Sequence, residues 1–197
     1  MKLASARLVL ATHNAHKVEE LRRILGPSLD GIELVAYDGP EPVEDGDTFE
    51  ANALIKARAA AAHSGLPAIA DDSGISVAAL GGEPGIHSAR YAGTRVDADN
   101  VALLLANLAG VTDRAAAFVC AAAFVHGEVE HVVRGEWTGS VLERVVGSNG
   151  FGYDPVFQPA GLDVSSAQLS ADEKNAISHR AMAFGELMPF VRERLLG

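Results

Sequence analysis

Two adjacent acids, Asp71 and Asp72, close the apolar run Pro67-Ala-Ile-Ala70 and lead into Ser73-Gly74. A short apolar run bounded by turn-forming residues reads as a buried strand, which delivers the acid pair at its end. Facing a cleft, such carboxylates suit a hard cation such as Mg2+, which takes one or two of them together with phosphate oxygens. Facing water, Asp-Ser-Gly is ordinary turn chemistry. Gly74 to Leu80 reads on as β structure, and the glycine-rich continuation, Leu80-Gly-Gly-Glu-Pro-Gly85 and Ser88-Ala-Arg-Tyr-Ala-Gly93, predicts a tight, irregular loop after it.

The remaining chain is ample for an enzyme: 197 residues, 48% hydrophobic and 21% charged, fit one compact domain with a real core and room for two lobes. Sixteen basic residues against 26 acidic ones give a formal charge of −10, which argues against a broad nucleic-acid surface. A polyanionic ligand therefore needs local cations or a metal. The single cysteine, Cys120, cannot form an internal disulfide, and its apolar neighbours predict a buried thiol in a reducing compartment, the cytoplasm by default. Arg7 and Thr12-His-Asn14 interrupt any signal-peptide core, and the apolar run 115–125 falls far short of the ~20 residues that span a bilayer, so a soluble protein without a membrane partner is expected.

In chain order, residues 7–11 read as a buried strand, and Val18, Leu21, Ile24 and Leu25 mark one face of a helix stopped by Gly26-Pro27. The intervening loop, Thr12, His13, Asn14, Ala15, His16 and Lys17, sets donors beside a helix N-terminus that favours anions. The alternative is that Asn14 or Thr12 caps the helix while Lys17 is solvated. No Walker A pattern occurs. Residues 32–36 predict a second strand, followed by an acidic loop, 38–47, that contains Glu44. Asp47-Thr-Phe-Glu50 resembles a capping box opening a helix to Ser64, with Gly65 ending it. On that helix Asn52 and Lys56, at i and i+4, point two donors one way, although Glu44 and Lys56 are equally readable as solvated charges.

Residues 97–107 read as a capped helix with Val101, Leu104, Leu105 and Leu108 as its core stripe, and 115–125 with 129–137 as a hairpin around His126-Gly127. Trp137 is expected to pack, and His63, His126 and His131 lack metal-ligand spacing. The loop Gly147-Ser-Asn-Gly-Phe-Gly-Tyr-Asp-Pro155 allows close backbone approach while an aromatic face holds a planar base, or else is a glycine-rich hairpin with Phe151 tucked into the core. Ser170-Ala-Asp-Glu173 is a capping box for a short helix bearing Lys174. Ser178 is placed to cap a last helix, kinked by Pro189, with His179 and Arg180 in its first turn. Basic residues are disfavoured at that end of the dipole, so an anionic or carbonyl-rich ligand, or a carboxylate such as Glu173, must reward them.

In combination, Thr12-x-Asn14-x-x-Lys17, Gly46-x-Thr-Phe-x-x-Asn52-Ala-x-x-Lys56-Ala, Ala70-Asp-Asp-Ser-Gly74, Pro84-Gly-Ile-x-Ser-Ala-Arg-Tyr91, Gly150-Phe-Gly-Tyr-Asp-Pro155 and Glu173-Lys-x-Ala-Ile-Ser-His-Arg180 resemble the inosine triphosphate pyrophosphatase family over nearly the whole chain. The resemblance implies an α/β fold, with a long mixed sheet and flanking helices in two lobes around a central cleft, as a single domain over 1–197 that usually forms a homodimer. It also implies hydrolysis of deaminated-purine nucleoside triphosphates to monophosphate and pyrophosphate with Mg2+. Asp72 would be the catalytic acid/base and a metal ligand, with Glu44 and Asp71 supporting the metal. The loop from Thr12 through His13, Asn14, Ala15 and His16 to Lys17, with Lys56 and Ser73, would hold the triphosphate. Phe151, Gly152, Tyr153, Asp154, Lys174, His179 and Arg180 would form the base pocket.

Two positions depart from the family pattern: His13 stands where glycine is most common, and His87 replaces a common tyrosine. Neither change removes a charge that the chemistry needs. The rival readings are a nucleotide pyrophosphatase with another base preference and a nucleotide-binding regulator without catalysis. Retention of Glu44, Asp71, Asp72 and Lys17 counts against the regulator, since binding alone does not require that acid set.

Overall fold

The computed structural model describes residues 5–197. Its sheet has six strands, β1 (Ala6–Leu10), β2 (Ile32–Ala36), β3 (Ala68–Val77), β4 (Ala115–His126), β5 (Val129–Val141) and β6 (Phe157–Pro159), in the order β2-β1-β3-β4-β5-β6. β1 runs parallel to β2, with Ala6 opposite Ile32, and parallel to β3, with Val9 opposite Ala68. Parallel neighbours need a crossover, and the helices α1 (Ala15–Leu25) and α2 (Phe49–Ser64) supply the two required. β5 and β6 are antiparallel, with Gly139 opposite Pro159, so the sheet is mixed as expected. The other helices are α3 (Asp97–Asn107), α4 (Ala171–Ile177) and α5 (His179–Leu196).

Residue patterning explains these elements. β4 is an unbroken apolar run and is buried along nearly all its length, whereas β5 alternates buried and exposed positions through its middle. α2 begins at Thr48, whose side chain accepts the Ala51 amide, and ends at Gly65 with φ +66°. The cap is thus Thr48 and not the Asp47 of the expected capping box. α3 has no side-chain cap at its N-terminus, contrary to the sequence reading. Pro189 lies within α5, which continues through it as one helix. β3 continues past the two aspartates through Gly74 to Val77, as the expected β structure after the acids requires, so the acids lie within the strand and not at its end.

The chain forms two compact units. The first takes residues up to Asp72, Cys120–Gly135 and Arg180–Gly197, and the second takes Ser73–Val119 and Glu136–His179. The core of the first unit includes Leu8, Leu10, Leu21, Ile69, Phe124, Phe184 and Leu187. That of the second includes Ile75, Val101, Leu104, Phe118, Trp137 and Phe157. Among the described residues no helix is long and apolar enough to cross a membrane.

Candidate active site

In the first unit, the acids of β3 are met by cations from three helices. Successive strand residues face opposite ways, so Asp71 and Asp72 recruit different partners. Asp71 Oδ2 accepts from Lys17 Nζ at 2.9 Å and lies 3.5 Å from Arg180 Nε. Asp72 Oδ1 accepts from Lys56 Nζ at 2.8 Å, and its Oδ2 accepts from Asn52 Nδ2 at 3.4 Å. The i, i+4 spacing of Asn52 and Lys56 on α2 therefore sends both donors to one carboxylate. Lys56 also donates to Glu44 Oε2 at 3.0 Å, which ties the acidic loop to the same helix.

Local sequence positions Lys17. Asn14 caps α1 by accepting from the His16 and Lys17 amides, and Thr12 Oγ1 accepts the Asn14 amide at 3.2 Å. Capping and charge placement coexist: Asn14 is the cap, yet Lys17 is paired rather than solvated. Ala15 and His16 form the exposed start of α1, while the His13 ring lies on Tyr37. Arg180, in the first turn of α5, donates to Glu20 Oε2 at 2.9 Å as well as facing Asp71. The carboxylates that reward it are thus Glu20 and Asp71. Glu173 instead completes the α4 capping box with Ser170.

Burial dominates the electrostatics. It raises the Asp72 carboxyl above the ordinary carboxylate range, against the opposing pull of Lys56 and Lys17. Burial also works against the Lys56 ammonium, but Asp72, Asp71 and Glu44 together outweigh it and hold its pKa above the usual lysine value. Cys120 lies against Asp71, with Sγ 4.0 Å from Oδ2, and burial pushes its thiol up.

The second unit holds the remaining expected residues. Asp154 is buried and accepts from Lys174 Nζ at 2.6 Å, from the Ser166 hydroxyl at 2.8 Å and from the Phe151 amide at 2.9 Å. Lys174 Nζ stands 5.2 Å from the centre of the Phe151 ring, and Tyr153 donates its hydroxyl to the Ser88 carbonyl at 2.9 Å. Phe151 is half-buried and packs beneath a cation. His179, 2% exposed, stacks on Phe118 with 4.8 Å between centroids and an interplanar angle of 10°, beside Trp137. Ser73 is half-buried in β3. Asp97, which the sequence reading used only as a helix start, accepts the Gly152 amide at 2.6 Å. Ser166, Glu20 and Tyr37 carry no local mark of a role: Ser166 and Glu20 meet partners distant in sequence, and the rings beside Tyr37, those of His13 and His63, lie on other elements.

Glu20, Glu44, Asp71 and Asp72 face Lys17, Lys56 and Arg180, which leaves one carboxylate in excess within that set. Among the described residues, no group of three or more His, Cys, Asp or Glu side chains is placed to hold a metal by itself. Oxygen-only donors with one or two carboxylates available fit Mg2+, which completes its shell with water and substrate phosphate.

Fold and site together define an α/β protein whose strand-borne acids, lysines and capped helix N-terminus suit phosphate chemistry. The chain belongs to the Ham1 family, whose pattern it matches over residues 8–190. It is 54% identical over 190 residues to the dITP/XTP pyrophosphatase of Leifsonia xyli subsp. xyli, covering 94% of this chain and 96% of that protein. It is 51% identical over 199 residues to the dITP/XTP pyrophosphatase of Mycobacterium tuberculosis, covering 97% and 98%. Among solved structures, a HAM1 protein from Coxiella burnetii superposes with a TM-score of 0.87 at 38% identity, covering 95% of this chain and 99% of the other. A nucleoside-triphosphatase / dITP/XTP pyrophosphatase from Mycobacterium abscessus gives 0.76 at 46% identity, covering 94% and 100%.

Proposed function

We propose that this chain hydrolyses deaminated-purine nucleoside triphosphates, dITP, ITP, XTP and dXTP, to the monophosphate and pyrophosphate, removing them from the nucleotide pool. The observation that carries this reading is the Lys17–Asp71 and Lys56–Asp72 pairing on one strand, in a chain about half identical to dITP/XTP pyrophosphatases. Lys17, Lys56, Ser73 and the loop 12–17 hold the triphosphate, and the two ammoniums offset charge developing on the leaving pyrophosphate. Asp72 positions water for in-line attack at the α-phosphorus and takes its proton. Asp72 and Glu44, with Asp71 in support, would hold Mg2+, which would supply charge neutralisation at the phosphates when bound.

Phe151, Gly152, Tyr153, Asp154 and Lys174 bind the base together with His179 and Arg180, whose donors suit a 6-oxo acceptor and oppose the 6-amino group of adenine. Guanine shares the 6-oxo group, so its exclusion falls to contacts at the 2-position. The chain 1–197 acts as one domain, in a homodimer, in the cytoplasm; the family resemblance supports the first two and the lone buried thiol of Cys120 the last.

Incubation of the chain with ITP, XTP, ATP and GTP plus Mg2+ tests the reading, with pyrophosphate assayed separately from orthophosphate. Pyrophosphate from ITP and XTP, with ATP and GTP slow, is expected. Orthophosphate alone, no product, or equal rates for all four overturns it.

A further inference from the structure

We propose that His13 is a positioning residue, which braces the triphosphate-binding loop 12–17 on the Glu44-bearing loop through a tilted ring contact with Tyr37. The proposal rests on the functional reading above and extends it to a residue whose side chain need not touch the substrate. The His13 and Tyr37 rings lie 5.3 Å apart between centroids at 34°, within the range of a favourable aromatic pair. Tyr37 is itself a fixed post. Only 8% exposed, it follows β2 at the head of the acidic loop and donates its hydroxyl to the Pro40 carbonyl at 2.9 Å. Its ring covers Gly39 so closely that a Cβ there would stand 2.6 Å from Tyr37 Cζ. On another side the ring meets His63 of α2 edge-on at 5.7 Å, and His63 Nε2 lies 3.5 Å from Asp38.

His13 thus links the loop that presents Lys17 to the loop that presents Glu44, while Lys56 ties Glu44 to α2. A loop ordered before substrate arrives loses less conformational freedom on binding. That saving is the same in the ground state and the transition state, so it appears in KM and not in kcat.

Steady-state kinetics of H13A, H13F, Y37L and the H13A/Y37L double variant with dITP test the proposal. H13A is expected to raise KM roughly three- to tenfold, the range set by loss of one aromatic pair, with kcat within about twofold. H13F keeps a ring on Tyr37 and is expected to restore KM, and in the double variant the two effects should fall short of their product. An activity-independent readout is the chemical shift of the His13 ring protons, which should lose the Tyr37 ring-current contribution in Y37L. Should Y37L fail to fold, the comparison of H13A with H13F decides alone. An active wild type with unchanged KM in H13A overturns the proposal, as does an H13F as impaired as H13A, which would mean that the imidazole itself contacts phosphate. A wild type that releases no pyrophosphate overturns the functional reading instead, and the two failures are thereby distinct.

Discussion

Asp72 carries opposing demands: its chemistry needs the carboxylate, while its burial favours the neutral form. D72N should therefore cost turnover. We expect kcat to fall about 10²–10⁴-fold, the contribution of a positioned acid or base, in a variant that circular dichroism still shows folded, with a lower Tm because the buried Lys56 ammonium loses its main partner. Lys56 behaves in the opposite sense. Its native pKa lies above the ordinary value of 10.5, so the stability it lends is complete below pH 10.5 and is lost as pH rises through the higher native value. K56M should accordingly flatten the alkaline fall in Tm, measured from pH 9 to pH 12. The roles of Lys17 and Lys56 were only half legible in the chain. The Asn14 cap and the Asn52/Lys56 spacing are local patterns, but the pairing of Lys17 with Asp71 joins residues that only the parallel sheet brings together.

Elements were more legible than their chemistry. The residues 32–36 of β2, the Ser170 capping box and the long helix closed by Gly65 are dictated by neighbours in sequence, which is why they read correctly. Gly74 reads correctly as β structure, but the reason for a glycine there is tertiary. It sits inside β3, where a Cβ would collide with Ser88 Oγ and the Gly85 carbonyl, so its smallness serves close packing and not a turn. Overpacking there makes G74A destabilising by about 1–3 kcal/mol in denaturant titrations. S170A tests the other kind of position: loss of the cap of α4 should cost about 1 kcal/mol. Equal effects of the two substitutions on activity would contradict this assignment, because Gly74 adjoins the candidate site residues Asp72 and Ser73.

For the molecule as a whole, Cys120 offers a probe of global opening. With 0% exposure and a thiol held protonated by burial and by Asp71, it should react with an aromatic disulfide reagent only as fast as the native protein opens, and at once in denaturant. Rapid stoichiometric labelling of the native protein at mildly alkaline pH would contradict that burial. The division into units was not foreseeable from composition, because no linker or change in residue content marks it: the chain leaves the first unit inside β3 and rejoins it for good at Arg180. This interleaving bears on how the protein is made. Phe184, Leu187, Met188 and Val191 complete a core that begins with Leu8 and Leu10, so β1 must wait for residues about 180 positions later to leave the ribosome. At roughly 5–20 residues per second, β1 and α1 spend on the order of ten seconds without their final packing partner, and a chain released before α5 is synthesised carries its acid pair on a scaffold that cannot close.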